Sequence, residues 1–416
     1  MTPRPKAYLP LTLLMNLSLI GATTAGNAAG EPELRTFHAQ PCFVVATKEV
    51  ELAITRTGGH MAPVTFFRDS EKPVKPYYVS PWQDETPSAM PAPVLISLRG
   101  DFFCVPFGGN NDAVAGEKHP PHGEIVGDAW HHVGTKKTGD ITTLTLGIET
   151  KVRKGRLTKE LSLVDGQNTI YSRDLIEGFA GQAPLGHHAT LAMPEKEGAV
   201  RIATSAFRFG MTNPGLFSEP KHREYQALQP GAKWTDLAKV PSAWKDAPDA
   251  DLTRLPGTYG YADLVQVVHE PWAKTHTPAW TTATYAEAGY VWFSLKDQDV
   301  LNSAVFWMEF HGRHGHPWNG RNNCLGLEDV TAFFADGLLP SMKENALTKE
   351  GVATTVALSA AKPTAVNYIQ GVIKIPAGFE NVKTLEFAPG QVTFISTTGQ
   401  RVTSPVRHEF LKTGQL

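Results

Sequence analysis

The tightest constraint on this chain's fold is the spacing of its strand and turn signals. Leu144, Leu146, Ile148 and Val152 alternate, Lys154 and Gly155 turn the chain, Leu157, Leu161 and Leu163 alternate up to Asp165 and Gly166, and Ile170 to Ile176 forms a third strand. A parallel pair needs a helical crossover between its strands. These connections are too short for one, so the segment reads as an antiparallel meander. Val50, Leu52 and Ile54, then Val64 to Phe67, read as a hairpin about Gly58 and Gly59. Further strand pairing is expected between Val291–Leu295 and Ala304–Phe310, and strands over Val366–Ile375, Thr384–Phe387, Val392–Ser396 and Val406–Leu411. Met211–Arg254, punctuated by Pro214, Pro220, Pro230, Pro241 and Pro248, reads as an excursion lying outside the sheets. One helix is expected, over Asp329–Leu339. The fold class is all-β, with a sandwich or barrel as the default.

Residues 1–29 have the pattern of a secretory leader: Arg4 and Lys6, an apolar run from Leu9 to Ile20, then small residues from Ala22 to Ala29. The apolar run is shorter than the ~20 residues of a membrane-spanning helix, so the expectation is a cleaved leader followed by a single β-domain over residues 30–416, periplasmic or secreted. With 39 Lys and Arg against 41 Asp and Glu, the net charge of −2 gives no electrostatic case for nucleic acid. The three cysteines, Cys42, Cys104 and Cys324, allow at most one disulfide, so the scaffold is not cysteine-stapled. At least one of them is expected to be a buried thiol.

Three segments carry candidate chemistry. The first runs from Ser97 to Val133: strand formers Leu98, Phe102, Phe103, Val105 and Phe107, a turn-rich stretch from Gly108 to Asp112, then His122-Gly123 ahead of Trp130. The second is Gly186-His187-His188-Ala189-Thr190-Leu191-Ala192-Met193-Pro194, and the third Cys324-Leu325-Gly326-Leu327-Glu328-Asp329. Together and in this order they resemble the galactose mutarotase (aldose 1-epimerase) superfamily. The matching family features are an HG…W segment, a histidine-led apolar strand ending in proline, and a C-x-G-x-E-P strand end. The sequence departs from the pattern at Ala189 and Thr190, where the family has proline and an aromatic residue, and at Asp329, where it has proline. His187 competes with His188, since a shift of one residue exchanges the two faces of a strand.

The resemblance implies a large antiparallel supersandwich and a site for a free sugar or glycan, with His188 as general acid, Glu328 as general base and His122 as a second site histidine. Mutarotation protonates the ring oxygen and deprotonates the anomeric hydroxyl, so an acid and a base must flank one sugar. The family's hydroxyl-binding aspartate and arginine point to Asp263 and Arg99, and Trp318 with Asn319 offers an aromatic face for a pyranose. A non-catalytic carbohydrate-binding protein of the envelope, or an accessory to polysaccharide hydrolysis or lysis, is the alternative function. His311, His314 and His316 read as hydrogen-bonded or solvated rather than as metal ligands, because a glycine- and proline-rich loop lacks fixed donor geometry. No phosphate-cradling loop, nucleophile elbow or CxxC pair occurs, and no cofactor or metal is expected. If the leader is processed in the ordinary way, sequencing protein from a secreting host will find the mature N-terminus between Ala25 and Glu31; an intact Met1 on cytoplasmic protein would contradict this.

Overall fold

Besides Met1, the computed structural model describes residues 33–86 and 88–416. The leader reading over residues 1–29 lies outside the described residues. Among those described, no helix is long and apolar enough to cross a membrane.

The meander forms as its alternation requires: Ile141–Thr150, Gly155–Val164 and Thr169–Glu177 pair antiparallel in unbroken register. They continue through Thr364–Lys374, Tyr290–Lys296 and Ala279–Tyr285 into a nine-stranded sheet. Facing it is a seven-stranded sheet whose centre is formed by Tyr261–His269, Ser303–Phe310, Asn323–Thr331 and Leu185–Ala192. Side chains such as Leu144, Leu161, Trp292, Val267, Phe306 and Leu327 fill the main core. A three-stranded sheet from Val382 to Pro405 covers the other face of the nine-stranded sheet, where Phe293, Phe394 and Phe410 join a second apolar cluster. The result is an all-β antiparallel sandwich with an added outer layer.

Several local expectations give way to tertiary pairing. Tyr290–Lys296 and Ser303–Phe310 do not form a hairpin; they lie in opposite sheets. Ser303–Phe310 is buried throughout and Tyr290–Lys296 nearly so, so their sequences carry no alternation that would choose a partner. The expected helix over Asp329–Leu339 is displaced because the strand runs on to Thr331, paired on both sides, and helix is confined to Leu338–Met342. Val406–Leu411 is not a strand: the chain turns after Pro405, and Phe410 and Leu411 enter the second apolar cluster from the short helix Phe410–Thr413. Within Ser97–Val133 strand pairing is brief, at Phe103–Cys104 and at the first residues of the strand His131–Thr138, and His122-Gly123 leads into a 3₁₀ turn at Glu124–Val126. The excursion is not wholly outside the sheets. Lys233–Trp234 and Arg254–Leu255 add edge strands to the two large sheets, and Leu228, Leu237, Val240 and Leu252 are buried. All three cysteines are free and buried.

Between the large sheets lies a buried polar network. His187 Nδ1 is 2.9 Å from Asp101 and its Nε2 3.4 Å from Asp174, which receives Lys159 Nζ at 2.6 Å. Gln370 donates to Asp101, and Lys296, Ser294 and Tyr368 all donate to Asp329. Burial opposes charge on His187, but Asp101 and Asp174 outweigh it and hold the imidazole above its ordinary range. Burial likewise opposes charge on Asp174, and Lys159 with His187 outweighs it and holds the carboxyl low. Removing one partner from such a pair leaves the other charge uncompensated, at ~3–5 kcal/mol. Lys159→Met is therefore expected to lower unfolding free energy by about that much in urea titrations, with Lys159→Met/Asp174→Leu recovering most of it. Equal losses in the single and double variants would contradict the pairing. The pH dependence follows from the two shifts. The contribution of His187 is complete below the unfolded imidazole value of ~6.5 and is lost as pH rises through the higher folded value; that of Asp174 is complete above ~3.9 and is lost as pH falls. Stability should thus decline on the alkaline side of neutrality in wild type and decline less in His187→Gln.

Candidate functional site

His188 and Glu328 are direct cross-strand neighbours in the seven-stranded sheet. Successive side chains alternate faces, so these two point away from the inter-sheet core while their neighbours His187 and Asp329 point into it. The choice between His187 and His188 is thereby made by register: His187 belongs to the buried network and His188 to the outer face. His188 Nε2 lies 3.2 Å from Glu328 Oε1, and His188 Nδ1 3.2 Å from Thr190 Oγ1. Gly326, two residues before Glu328 on the same face, leaves room for the carboxyl: a Cβ there would lie 2.5 Å from Glu328 Oε1 and 3.1 Å from Trp307 Cβ.

His122 arrives from a loop rather than a strand. Its backbone N–H donates to the Gly108 carbonyl at 2.7 Å, and the left-handed backbone at His122 and Gly123 swings the imidazole inward. Gly123 passes against the Val105 carbonyl, where a side chain would collide. The His122 ring stands edge-on to His188 with centroids 5.1 Å apart, while Phe102 stacks on His188 at 4.5 Å and Trp307 closes another side at 5.6 Å. Trp318 packs edge-on against Trp307 and Trp82.

His122, His188, Glu328, Trp307 and Trp318 line one cavity of about 300 Å³, at the small end of the ~300–1,000 Å³ typical of ligand sites. The burial of His188 and Glu328 shapes the acid–base chemistry. Burial pushes the Glu328 carboxyl well above its usual range. Burial, with His122 and His60 nearby, pulls His188 well below the usual imidazole range, and burial lowers His122 to about 4. Both effects favour the uncharged forms of the two groups, which face each other at 3.2 Å. Glu328 Oε2 is buried with no hydrogen-bond partner among the described residues.

The other expected ligands are placed elsewhere, each for a specific reason. Arg99 is buried, and its guanidinium donates to the carbonyls of Phe37 and His38 and to Gln83 Oε1 at 2.6–3.0 Å, tying the first strands to the body. Asp263 accepts the backbone N–H groups of Ala227 and Leu228 at 2.9 and 3.0 Å, and it is the next residue, Leu264, that faces the cavity. Asn319 is exposed at a left-handed turn beside Trp318. The guanidinium that does line the cavity is that of Arg313, which lies over the Phe217 ring at 4.5 Å and 3.5 Å from Glu309. Burial raises the Glu309 carboxyl to about 7, Arg313 partly offsetting it. Sequence reading singled out the loop of Arg313 for its histidines and Trp318 and passed over the arginine; Trp307, in a uniformly buried strand, had no distinguishing signal. Of the loop histidines, His311 contacts Glu195 and the Gly320 carbonyl. Among the described residues no three His, Cys, Asp or Glu side chains gather as a metal site.

Infrared difference spectra of wild type and Glu328→Gln, followed over pH, should show a protonated-carboxyl band that the substitution removes and that persists above the ordinary carboxylate range. Loss of that band within the ordinary range would contradict the raised carboxyl.

No sequence-family model matches this chain, and no curated protein matches it by sequence. Its structure, however, is similar to YeaD of Salmonella typhimurium, a candidate mutarotase (TM-score 0.52, 13% identity, over 82% of this chain and 93% of that one). It is similar also to a galactose mutarotase-like protein of Clostridium acetobutylicum (TM-score 0.52, 9% identity, 82% and 98%). A candidate aldose 1-epimerase of Klebsiella pneumoniae gives a TM-score of 0.52 at 9% identity, with 83% of each chain covered. At such identities the likeness shows the fold, and the fold is the galactose mutarotase-like supersandwich.

Proposed function

We propose that this is an exported sugar-binding protein of the mutarotase-like class that interconverts the anomers of a free aldose. The observation that carries the reading is the His188–Glu328 pair, 3.2 Å apart at the wall of one cavity with His122. The reaction needs one proton in the pair and no more. With that proton on His188, the imidazolium gives it to the ring oxygen while Glu328 takes the proton of the anomeric hydroxyl. The bond from the anomeric carbon to the ring oxygen breaks and an aldehyde forms. After rotation about the adjacent carbon–carbon bond, Glu328 returns its proton to the carbonyl oxygen and neutral His188 recovers one from the ring-closing hydroxyl. The pair alternates between two tautomers of equal total charge; the charged one is reached by moving the Glu328 proton to His188, against the burial that favours the uncharged forms. His122 is held neutral with Nδ1 accepting the Gly108 N–H at 3.4 Å, which leaves its Nε2–H to donate to the sugar. Trp307 and Trp318 offer apolar faces to the ring, and Arg313 a donor to its hydroxyls.

Exchange NMR or polarimetry should show faster anomer interconversion for an aldose. Glu328→Gln should lower kcat by ~10²–10⁴-fold, with sugar affinity within a few-fold of wild type, because the amide keeps the shape and a hydrogen bond but takes no proton. Sugar binding without any acceleration would replace this reading with that of a non-catalytic carbohydrate-binding protein.

A further inference from the structure

The alternation that turns Leu264 and Trp307 to the first cavity turns their neighbours Asp263 and Met308 to the opposite face, since Asp263 pairs with Met308 and Leu264 with Trp307. On that face, at the open edge of the sandwich and beneath the excursion, lies a second cavity of about 460 Å³. Trp244, projecting from the excursion and 48% exposed, is one wall. Tyr261 is another, its ring 6.1 Å from that of Trp244 at 75°. At the floor is Asp263, only 5% exposed. Its two oxygens are each fixed by one backbone N–H, which leaves further lone pairs for donors.

We propose that this cavity is a second, non-catalytic binding site for a neutral saccharide. A wide indole face left in water is a costly surface unless something covers it, and the apolar face of a pyranose fits it. A fixed carboxylate offers two acceptors to adjacent hydroxyls, with Thr258 also at the lining. The sugar is neutral rather than phosphorylated or acidic, because Asp249, Asp251 and Asp263 line the cavity and, among the described residues, no Lys, Arg or His does. Asp263, which the family resemblance implied as a ligand beside His188 and Glu328, lines this cavity and not that one. The assignment rests on this cavity's own side chains and not on the anomerisation reading.

The test uses the full protein labelled with 5-fluorotryptophan. Nine tryptophans give nine possible ¹⁹F resonances, and the one lost in Trp244→Phe identifies residue 244. Titration with methyl α-D-glucopyranoside, which has no free anomeric hydroxyl and cannot be anomerised, should shift the Trp244 resonance saturably. The shift should persist in Glu328→Gln and Trp318→Phe, and glucose 6-phosphate should produce a much smaller one. A Trp244 resonance that stays fixed while that of Trp318 moves would overturn the second site. A shift with tetramethylammonium but none with the glycoside would overturn the ligand class. Because neither readout involves anomer exchange, failure here and failure of the catalytic reading are separately visible.

Discussion

The structure depends on the register between Leu185–Ala192 and Asn323–Thr331. With His188 set against Glu328 and His187 against Asp329, two adjacent residue pairs are sorted to opposite faces of one sheet. The outer pair faces a cavity, and burial favours the uncharged form of each of its groups. The inner pair enters a network in which Asp101, Asp174 and Asp329 are met by Lys159, Lys296 and His187. A slip of one residue would bury His188 among carboxylates and bring His187 and Asp329 to the cavity, so the inner charges resist any other register. The network behind the strands is thus the physical reason the site in front of them is well placed.

The two environments also explain why neighbouring histidines behave oppositely. Both are buried, and burial alone would strip the proton from each. His187 is held above the ordinary imidazole range because two carboxylates face it; His188 has only other imidazoles and a carboxyl whose own ionisation burial opposes, and it is held below. Gly326 and Gly123 contribute through space rather than contact. One makes room for the Glu328 carboxyl, and the other lets the His122 loop press against a carbonyl.

Much of this was legible in the sequence. Period-two alternation gave the meander, and three short segments, far apart along the chain, named His122, His188 and Glu328, which the fold gathers at one cavity. The failures share a cause. Tyr290–Lys296, Ser303–Phe310 and the strand through Asp329 are buried on both faces, so periodicity could not tell partner, sheet or even strand from helix. Arg99 and Asp263 carried the right chemical groups, but nothing local shows that Arg99 is held by carbonyls of the first strands or that Asp263 lies one residue out of phase with the cavity. Arg313 was hidden in a loop held both by the nearby Glu309 and by the distant Glu224, whose carboxylates accept its backbone N–H groups.

The most direct test of the account is a crystal structure with a free aldose bound. The predicted result is a pyranose in the cavity between Trp307, Trp318 and His122, its anomeric hydroxyl within hydrogen-bond distance of Glu328 and its ring oxygen facing His188. A sugar found elsewhere with this cavity empty, or seated there with its anomeric carbon turned away from both residues, would contradict it.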